Sequence, residues 1–446
     1  MPQQRRLPLR LAKSGHGPRA DRGRQAPAPF SLVRVPSPTR VVAVHRYFWP
    51  DAPPYAAFLR AIAGRWAQDG ARVTVLSAQP SYVGGGERRP RRELLGGFGV
   101  QRLPALSGRG RLSRLLDLAA FPLVAAARVL TMRGRPDLVM CSTVPQVTLG
   151  IAMALAARAR RAAFVYHCMD IHPEIGRLSG DFAHPVVYTV LSKLDRATMR
   201  LASRIVVLSA DMKAAVVARD PRLGDKVVVL NNFALPSYDA AQPSPLPPPE
   251  PGVLRVLFTG NVGRFQGLEN LIAALDLVPG ESPVELVIMG EGKAKEDLTR
   301  LAAARAPGPH RVVFLAHGSA SAAKALMTGG HVGVVSLTPK VVRYAYPSKT
   351  ATYAEAGLPL IVVVEPDSEL ASSVLREGSG WSVPPGDVAA LARAMTEAAR
   401  ERQSGALAAK AAASSAYAAL QFAPGPALDR WSALLDEIAG ERTGTA

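Results

Sequence analysis

The stretch Tyr346-Pro347-Ser348-Lys349-Thr350-Ala351-Thr352-Tyr353-Ala354-Glu355-Ala356-Gly357-Leu358-Pro359, followed at once by Leu360-Ile361-Val362-Val363-Val364, decides the fold. Pro347 suits a first helical turn, where its missing N–H costs nothing, and Gly357 with Pro359 behind it gives a stop. The apolar run after the stop reads as a buried strand. A helix feeding directly into such a strand is one half of a βαβ crossover, the repeating unit of a parallel sheet covered on both faces. The start of this helix also offers chemistry. Free N–H donors, the positive end of the helix dipole and Lys349 together suit a diphosphate. On spacing alone, an ordinary crossover accounts for the same residues equally well.

The same rhythm extends along the chain. Short β-branched runs with helical patterns between them fall at 41–45, 73–76, 137–142, 163–168, 205–209 and 227–231, then at 254–259, 284–289, 312–315, 332–337 and 360–364. The break between the two sets holds Pro236, Pro243, Pro245, Pro247, Pro248, Pro249 and Pro251, and proline continues neither a central strand nor a helix. A chain of 446 residues also exceeds what one hydrophobic core usually supports. The expected fold is therefore α/β, two doubly wound Rossmann-like domains facing a cleft. The expected boundaries are a disordered basic tail at 1–39, a first domain at 40–232, a linker at 233–252, a second domain at 253–405 and closing helices at 406–446.

Composition narrows the function classes. Cys141 and Cys168 are the only cysteines and sit in apolar runs, which excludes a disulfide framework and fits a reducing compartment. No segment reaches the ~20 uninterrupted apolar residues of a membrane-spanning helix; in the nearest, 115–131, Asp117, Pro122 and Arg128 intervene. The net charge of +19 is concentrated in the tail and in the stretch 88–135, where Arg88, Arg89, Arg91, Arg92, Arg102, Arg109, Arg111, Arg114, Arg128, Arg133 and Arg135 face only Glu93 and Asp117. Such a run beside an amphipathic segment suits an anionic membrane surface. No aromatic interleaving or nucleic-acid-binding motif accompanies it, so no specific nucleic acid is expected. A merely solvated arginine-rich face is the plain alternative.

Three strand ends carry candidate chemistry. After the strand at 254–259 comes Gly260-Asn261-Val262-Gly263-Arg264-Phe265-Gln266-Gly267, whose glycines admit close backbone approach and whose Arg264 suits phosphate oxygens. It is neither a Walker loop nor a dinucleotide fingerprint. After the next strand, Gly290-Glu291-Gly292 is a turn that suits a base or ribose edge, or simply a turn. In the first domain, Asp170, His172 and Glu174 lie just past 163–168, where Pro173 ends the strand. The loop His45-Arg46-Tyr47-Phe48-Trp49-Pro50-Asp51 is either an acceptor pocket wall or a packed lid. Metal-bridging Asp-x-Asp, zinc-spaced histidines and a hydrolase elbow do not occur.

In their order and spacing these pieces resemble glycosyltransferase family 4, the retaining enzymes of the GT-B fold. The likeness is to the branch that acts in capsule, O-antigen and exopolysaccharide assembly. It rests on Tyr47 to Asp51, Val73 to Leu76 before Pro80-Ser81-Tyr82, Asp170 to Glu174, Ile205 to Ser209, Gly260 to Glu269, Gly290 to Gly292, Pro347 to Lys349 with Ala356-Gly357, and Gly380 leading to Pro384-Pro385-Gly386-Asp387. The resemblance implies that the first domain takes a glycan or lipid-linked acceptor, and that the second holds a UDP- or GDP-sugar as substrate, with no cofactor or metal. The last helices would return to the first domain. Catalytic roles fall on Arg264 and Lys349 at the leaving group, and on Asp170, His172 and Glu174 at the acceptor. The nucleotide-sugar would contact Gly260, Asn261, Gly263, Gln266, Gly290, Glu291, Gly292, Tyr344, Pro347, Ser348 and Thr352. Tyr344 and Thr352 stand where many members carry a Glu pair, and Asn261 and Gln266 where an Arg and a Lys are usual. The expected location is cytoplasmic and peripheral, on the inner face of the cell membrane. A nucleotide-sugar epimerase of the same architecture and a non-catalytic membrane or polyanion scaffold are the alternatives.

Overall fold

The computed structural model describes residues 38–51, 53–81, 88–104, 111–180, 182, 184–235 and 242–444, without the side chains of 111–118 and 443. The basic tail up to residue 37, with Tyr82, Arg109 and Pro236, lies outside the described residues. The first part of the chain runs β1 (Arg40–Val44), α1 (Pro54–Gln68), β2 (Arg72–Ala78), β3 (Arg92–Leu95), β4 (Phe98–Leu103), α2 (Arg111–Thr131), β5 (Leu138–Ser142), α3 (Thr148–Ala159) and β6 (Ala163–His167). It continues through α4 (Glu174–Leu178), α5 (Pro185–Leu201), β7 (Arg204–Val207), α6 (Ala210–Arg219) and β8 (Val227–Val229). These strands form one sheet in the order β3-β4-β2-β1-β5-β6-β7-β8, parallel except for β3.

The second part runs β9 (Leu254–Thr259), α7 (Leu268–Ala274), β10 (Val284–Met289), α8 (Lys295–Ala303), β11 (Arg311–Leu315), α9 (Ala320–Thr328), β12 (Val332–Ser336), α10 (Lys349–Glu355), β13 (Leu360–Val363), α11 (Glu369–Arg376) and β14 (Gly380–Val383). Its sheet, β11-β10-β9-β12-β13-β14, is parallel throughout. Helices α12 (Val388–Ser404), α13 (Leu407–Gln421) and α14 (Pro424–Thr443) follow. In both sheets the chain starts centrally and later reverses direction, between β1 and β5 and between β9 and β12. Loops at the carboxyl ends of the strands beside such a reversal diverge and leave a crevice.

The structure departs from the sequence reading at three places. Strands β3 and β4, within the arginine-rich stretch, form a hairpin about Gly96-Gly97, whose φ values of 55° and 91° suit the tight turn that two positive-φ residues allow. Strand β14 was not foreseen, being four residues long. The helix at the Pro-Ser-Lys motif begins at Lys349, so Pro347 precedes it; the Pro347 carbonyl accepts from the Thr350 N–H at 3.1 Å. Its stop is as expected, with Gly357 at φ 71°.

Several arginines of the 88–135 run serve the fold. The buried Arg102 pairs with Glu93 at 2.8 Å and donates to Ser77 Oγ at 2.9 Å and to the Trp49 carbonyl at 2.5 Å. Arg128 donates to Gln101 at 2.8 Å, and Arg135 to the Arg161 carbonyl at 3.0 Å. Helix α14 returns to the first sheet: Trp431, Leu434, Leu435 and Ile438 share a core with Phe58, Leu59, Ile62 and Trp66 of α1. The Trp66 indole N–H donates to the Trp431 carbonyl at 3.1 Å, giving the buried ring its polar partner. Among the described residues no helix is long and apolar enough to cross a membrane.

Candidate active site

At the end of β9 the chain turns through Gly260 at φ 118°, and a Cβ there would stand 3.1 Å from Lys349 Cε. The missing side chain leaves the path along which Lys349 runs. Its Nζ lies 4.6 Å from the centre of the Phe258 ring, and it has no ion pair among the described residues. Burial pushes the Lys349 ammonium down to about 8, because water no longer stabilises its charge. Helix α10 is fixed against β9 by the Tyr353 hydroxyl, which accepts from the Thr259 N–H at 2.7 Å.

The glycines at 290 and 292 have a packing reason. Added Cβ atoms would come 1.8 Å from the Gly260 carbonyl oxygen and 2.1 Å from that of Val262, so the loop after β10 presses directly on the loop after β9. That contact consumes backbone donors. Gly260 N–H bonds the Met289 carbonyl and Val262 N–H the Glu291 carbonyl, both at 2.9 Å, while Gln266 N–H reaches the Gly263 carbonyl at 3.3 Å. The N–H groups of Asn261 and Gly263 keep no partner among the described residues. Asn261 and Arg264 are exposed, whereas Gln266 is buried with its carbonyl accepting from Ser336 Oγ at 2.6 Å. Glu291 points outward and pairs with Lys295 at 2.6 Å. Pro347, Ser348 and Thr352 are half-buried around Lys349 in the chain.

The first domain meets this loop set directly. Past β6, the Ile171 N–H donates to the Tyr344 carbonyl at 2.7 Å, and Asp170 forms an antiparallel bridge with Ala345. Residues 170 and 171 are thereby laid against 344 and 345, in the segment that leads to Lys349. The Asp170 carboxylate has no hydrogen-bond partner among the described residues, and burial pushes it up to about 6. Its two expected companions are placed differently. Glu174 opens α4 and is held by Arg219, which also pairs with Asp195 and donates to the His172 carbonyl at 3.1 Å. The His172 ring is buried, its centre 6.4 Å from that of Phe182. A guanidinium from α6, remote in sequence, draws Glu174 back, which leaves Asp170 as the carboxylate of the two without an ion pair among the described residues. A pocket of about 520 Å³ beside this junction is lined by Glu174, Asp211, Arg219, Arg343, Tyr344 and Asp367 among others; Asp170 and Lys349 are not part of its lining.

Two doubly wound domains, cations at one carboxyl edge and a bridging acid loop at the other agree with what comparison finds. A Glycosyl transferase 4-like domain model matches residues 54–233, and a Glycosyl transferases group 1 model matches 254–401. The chain is a glycosyltransferase of the GT-B fold. It is 29% identical over 280 residues to the Pseudomonas aeruginosa protein named Probable glycosyltransferase WbjE, covering 60% of this chain and 68% of that one. It is 26% identical over 327 residues to WcaI of Escherichia coli K12, named for colanic acid biosynthesis, covering 68% and 78%. The structure of Anabaena HepE in complex with UDP-glucose superimposes with a TM-score of 0.59 at 17% identity, over 89% of this chain and 99% of that one.

Within this glycosyltransferase, sequence reasoning missed Arg219 and Asp195 altogether. No motif marks them. The signal lay in α5, where an acid sits among apolar residues, a position that a buried ion pair explains. Tyr344 was singled out for its place in the motif; in the structure its carbonyl makes a hydrogen bond between domains, accepting from the Ile171 N–H.

Proposed function

We propose that this glycosyltransferase moves a hexose from a UDP- or GDP-sugar to a hydroxyl of a glycan or lipid-linked acceptor, with retention, at the cytoplasmic face of the membrane. The observation that carries the reading is the bridge between Asp170 and Ala345, which brings an unpartnered carboxylate of the first domain to the loop that bears Lys349. HepE, of the same fold, holds UDP-glucose, and WcaI is named for colanic acid biosynthesis, which favours this donor and product class.

In this mechanism the anomeric carbon gains oxocarbenium character as the diphosphate departs. The charge growing on the leaving oxygen is met by Lys349, Arg264 and the N–H groups of Asn261 and Gly263, without a divalent ion. Groups preorganised for developing charge act without reorganising at the moment of reaction. Retention follows if the departing phosphate oxygen accepts the acceptor's proton on the face where the new bond forms. Asp170 orients the acceptor hydroxyl or the sugar; Glu174 acts through Arg219 to fix the loop. Lys349→Ala and Arg264→Ala should each lower transfer about 10²-fold and weaken donor binding, with transfer unchanged by EDTA. Full transfer by both folded variants would place the diphosphate elsewhere.

A further inference from the structure

Helix α5 is inside out. Its buried side carries Asp195 and Thr198 beside Met199, while Val186, Val187, Val190, Leu194 and Leu201 face outward, Val186 at 64% and Val190 at 50% exposure. Residues 186, 190, 194 and 201 recur on one helical face, and Lys193, Arg196 and Arg200 follow along one flank of that stripe. The polar side is accounted for by Arg219 and by the Tyr166 hydroxyl, which donates to Asp195 at 2.9 Å. The apolar side has no counterpart among the described residues.

The surface extends beyond one helix. Helix α3 packs on α5 at Gly150, where a Cβ would meet Thr198 at 2.9 Å, and α2 packs on α3 in turn. Leu155 of α3 and Leu123 and Leu130 of α2 are likewise exposed. Helix α3 contains no carboxylate, and the single one of α5 is buried. The layer therefore presents valine, leucine, lysine and arginine with no exposed acid from α3 or α5. A second copy of the chain would set this patch against itself and bring cations together, because a twofold contact is self-complementary. An anionic bilayer satisfies both halves: the aliphatic side chains enter the acyl boundary and the cations meet phosphate headgroups.

We infer that α5, with the outer faces of α3 and α2, is the surface that docks on an anionic membrane. The inference deepens the membrane-face reading given above and rests on it, and it extends the contact from the α2 part of the arginine run at 88–135 to α3 and α5. Arg219 ties α5 to α4, holding Asp195 with one nitrogen and Glu174 with the other.

Co-sedimentation of the full-length chain with vesicles tests this, using phosphatidylcholine with and without phosphatidylglycerol. Binding should require phosphatidylglycerol, fall at least tenfold in Val186→Asp/Val190→Asp and fall less in Lys193→Glu, with helix content unchanged. Wild-type binding by the double variant, or equal binding to both vesicles, overturns the inference. So does a dimer in light scattering that the double variant dissolves while vesicles stay unbound. Thermal stabilisation by UDP-glucose, measured in parallel, separates the two readings. If vesicle binding follows these residues but no UDP- or GDP-sugar stabilises the chain, the surface stands and the proposed donor falls.

Discussion

Lys349 is a cation that folding has partly dried and left without a counter-charge among the described residues. A desolvated ammonium favours losing its proton, and a diphosphate favours keeping it, so donor and proton should bind cooperatively. With the ammonium held down at about 8, donor affinity should be full below that pH and decline as pH rises through it. Calorimetric titration of UDP-glucose between pH 6.5 and 9.5 measures the profile, and a flat curve would remove Lys349 from the diphosphate site. Lys349→Met should bind donor weakly at every pH yet melt no lower than the wild type without ligand, because it deletes an uncompensated charge. Lys349 was legible in the sequence because a motif names it. The same motif reading made the whole turn at Gly260 a phosphate cradle, whereas two of its N–H groups are spent on the end of β10 and the loop after it, and a third within the turn itself. Which donors remain free is a matter of tertiary contact, invisible along the chain.

Strands and loops divide in a similar way. The apolar runs located the strands of both sheets except β3, β4 and β14; β3 and β14 are four-residue edge strands, and β4 alternates buried with half-buried residues. In β3 and β4 arginine content masked the Gly-Gly hairpin signal. Gly290 illustrates how an element explains a residue: its φ of 156° and the 1.8 Å approach of an added Cβ to the Gly260 carbonyl leave no room for a side chain. Gly290→Ala should cost about 2 kcal/mol or more in denaturant unfolding and weaken donor binding, as the loops after β9 and β10 are forced apart.

A second element-level prediction concerns His45 and His167, at the carboxyl ends of β1 and β6. The His45 ring bonds Ser142 Oγ and His167 bonds the Tyr55 hydroxyl at 3.1 Å; burial holds both imidazoles down at about 3. They are neutral when folded and protonate near pH ~6.5 when unfolded, so their contribution is complete above that pH and is lost as pH falls toward 3. Asp170 and Asp195, pushed up to about 6, act in the opposite sense. The histidine part is therefore read as a difference: His167→Gln should lose less stability than wild type between pH 7 and pH 5. Parallel urea curves at the two pH values check it, and equal losses would count against the pair.

At the scale of the whole molecule, the order of two domains and a proline-rich connection could be read from strand count and composition, but not what locks the domains together. The lock is reciprocal. Ser209 caps α6 and Ser368 caps α11 through their own hydroxyls, yet the next donors are satisfied across the crevice. Asp211 of α6 accepts from the Glu369 N–H at 2.9 Å, and Glu369 of α11 accepts from the Ala210 N–H. Each helix start in one domain is thus capped by an acid from the other, residues 158 apart in sequence, a coupling that no local pattern encodes. Each cap is worth ~1 kcal/mol, enough to hold a closed crevice and small enough to release it. The acids also oppose one another: burial pushes the Asp211 carboxyl up, and Glu369 and Asp367 nearby push it further. Asp211→Ala and Glu369→Ala should each raise the radius of gyration in solution scattering and slow transfer to a soluble acceptor. Donor binding, proposed for the second domain, should be unchanged. The double variant should do little more than either single one, since the two caps share one contact and lose their meaning together. Scattering curves that stay identical across the set would show that the domains are held by something other than this pair.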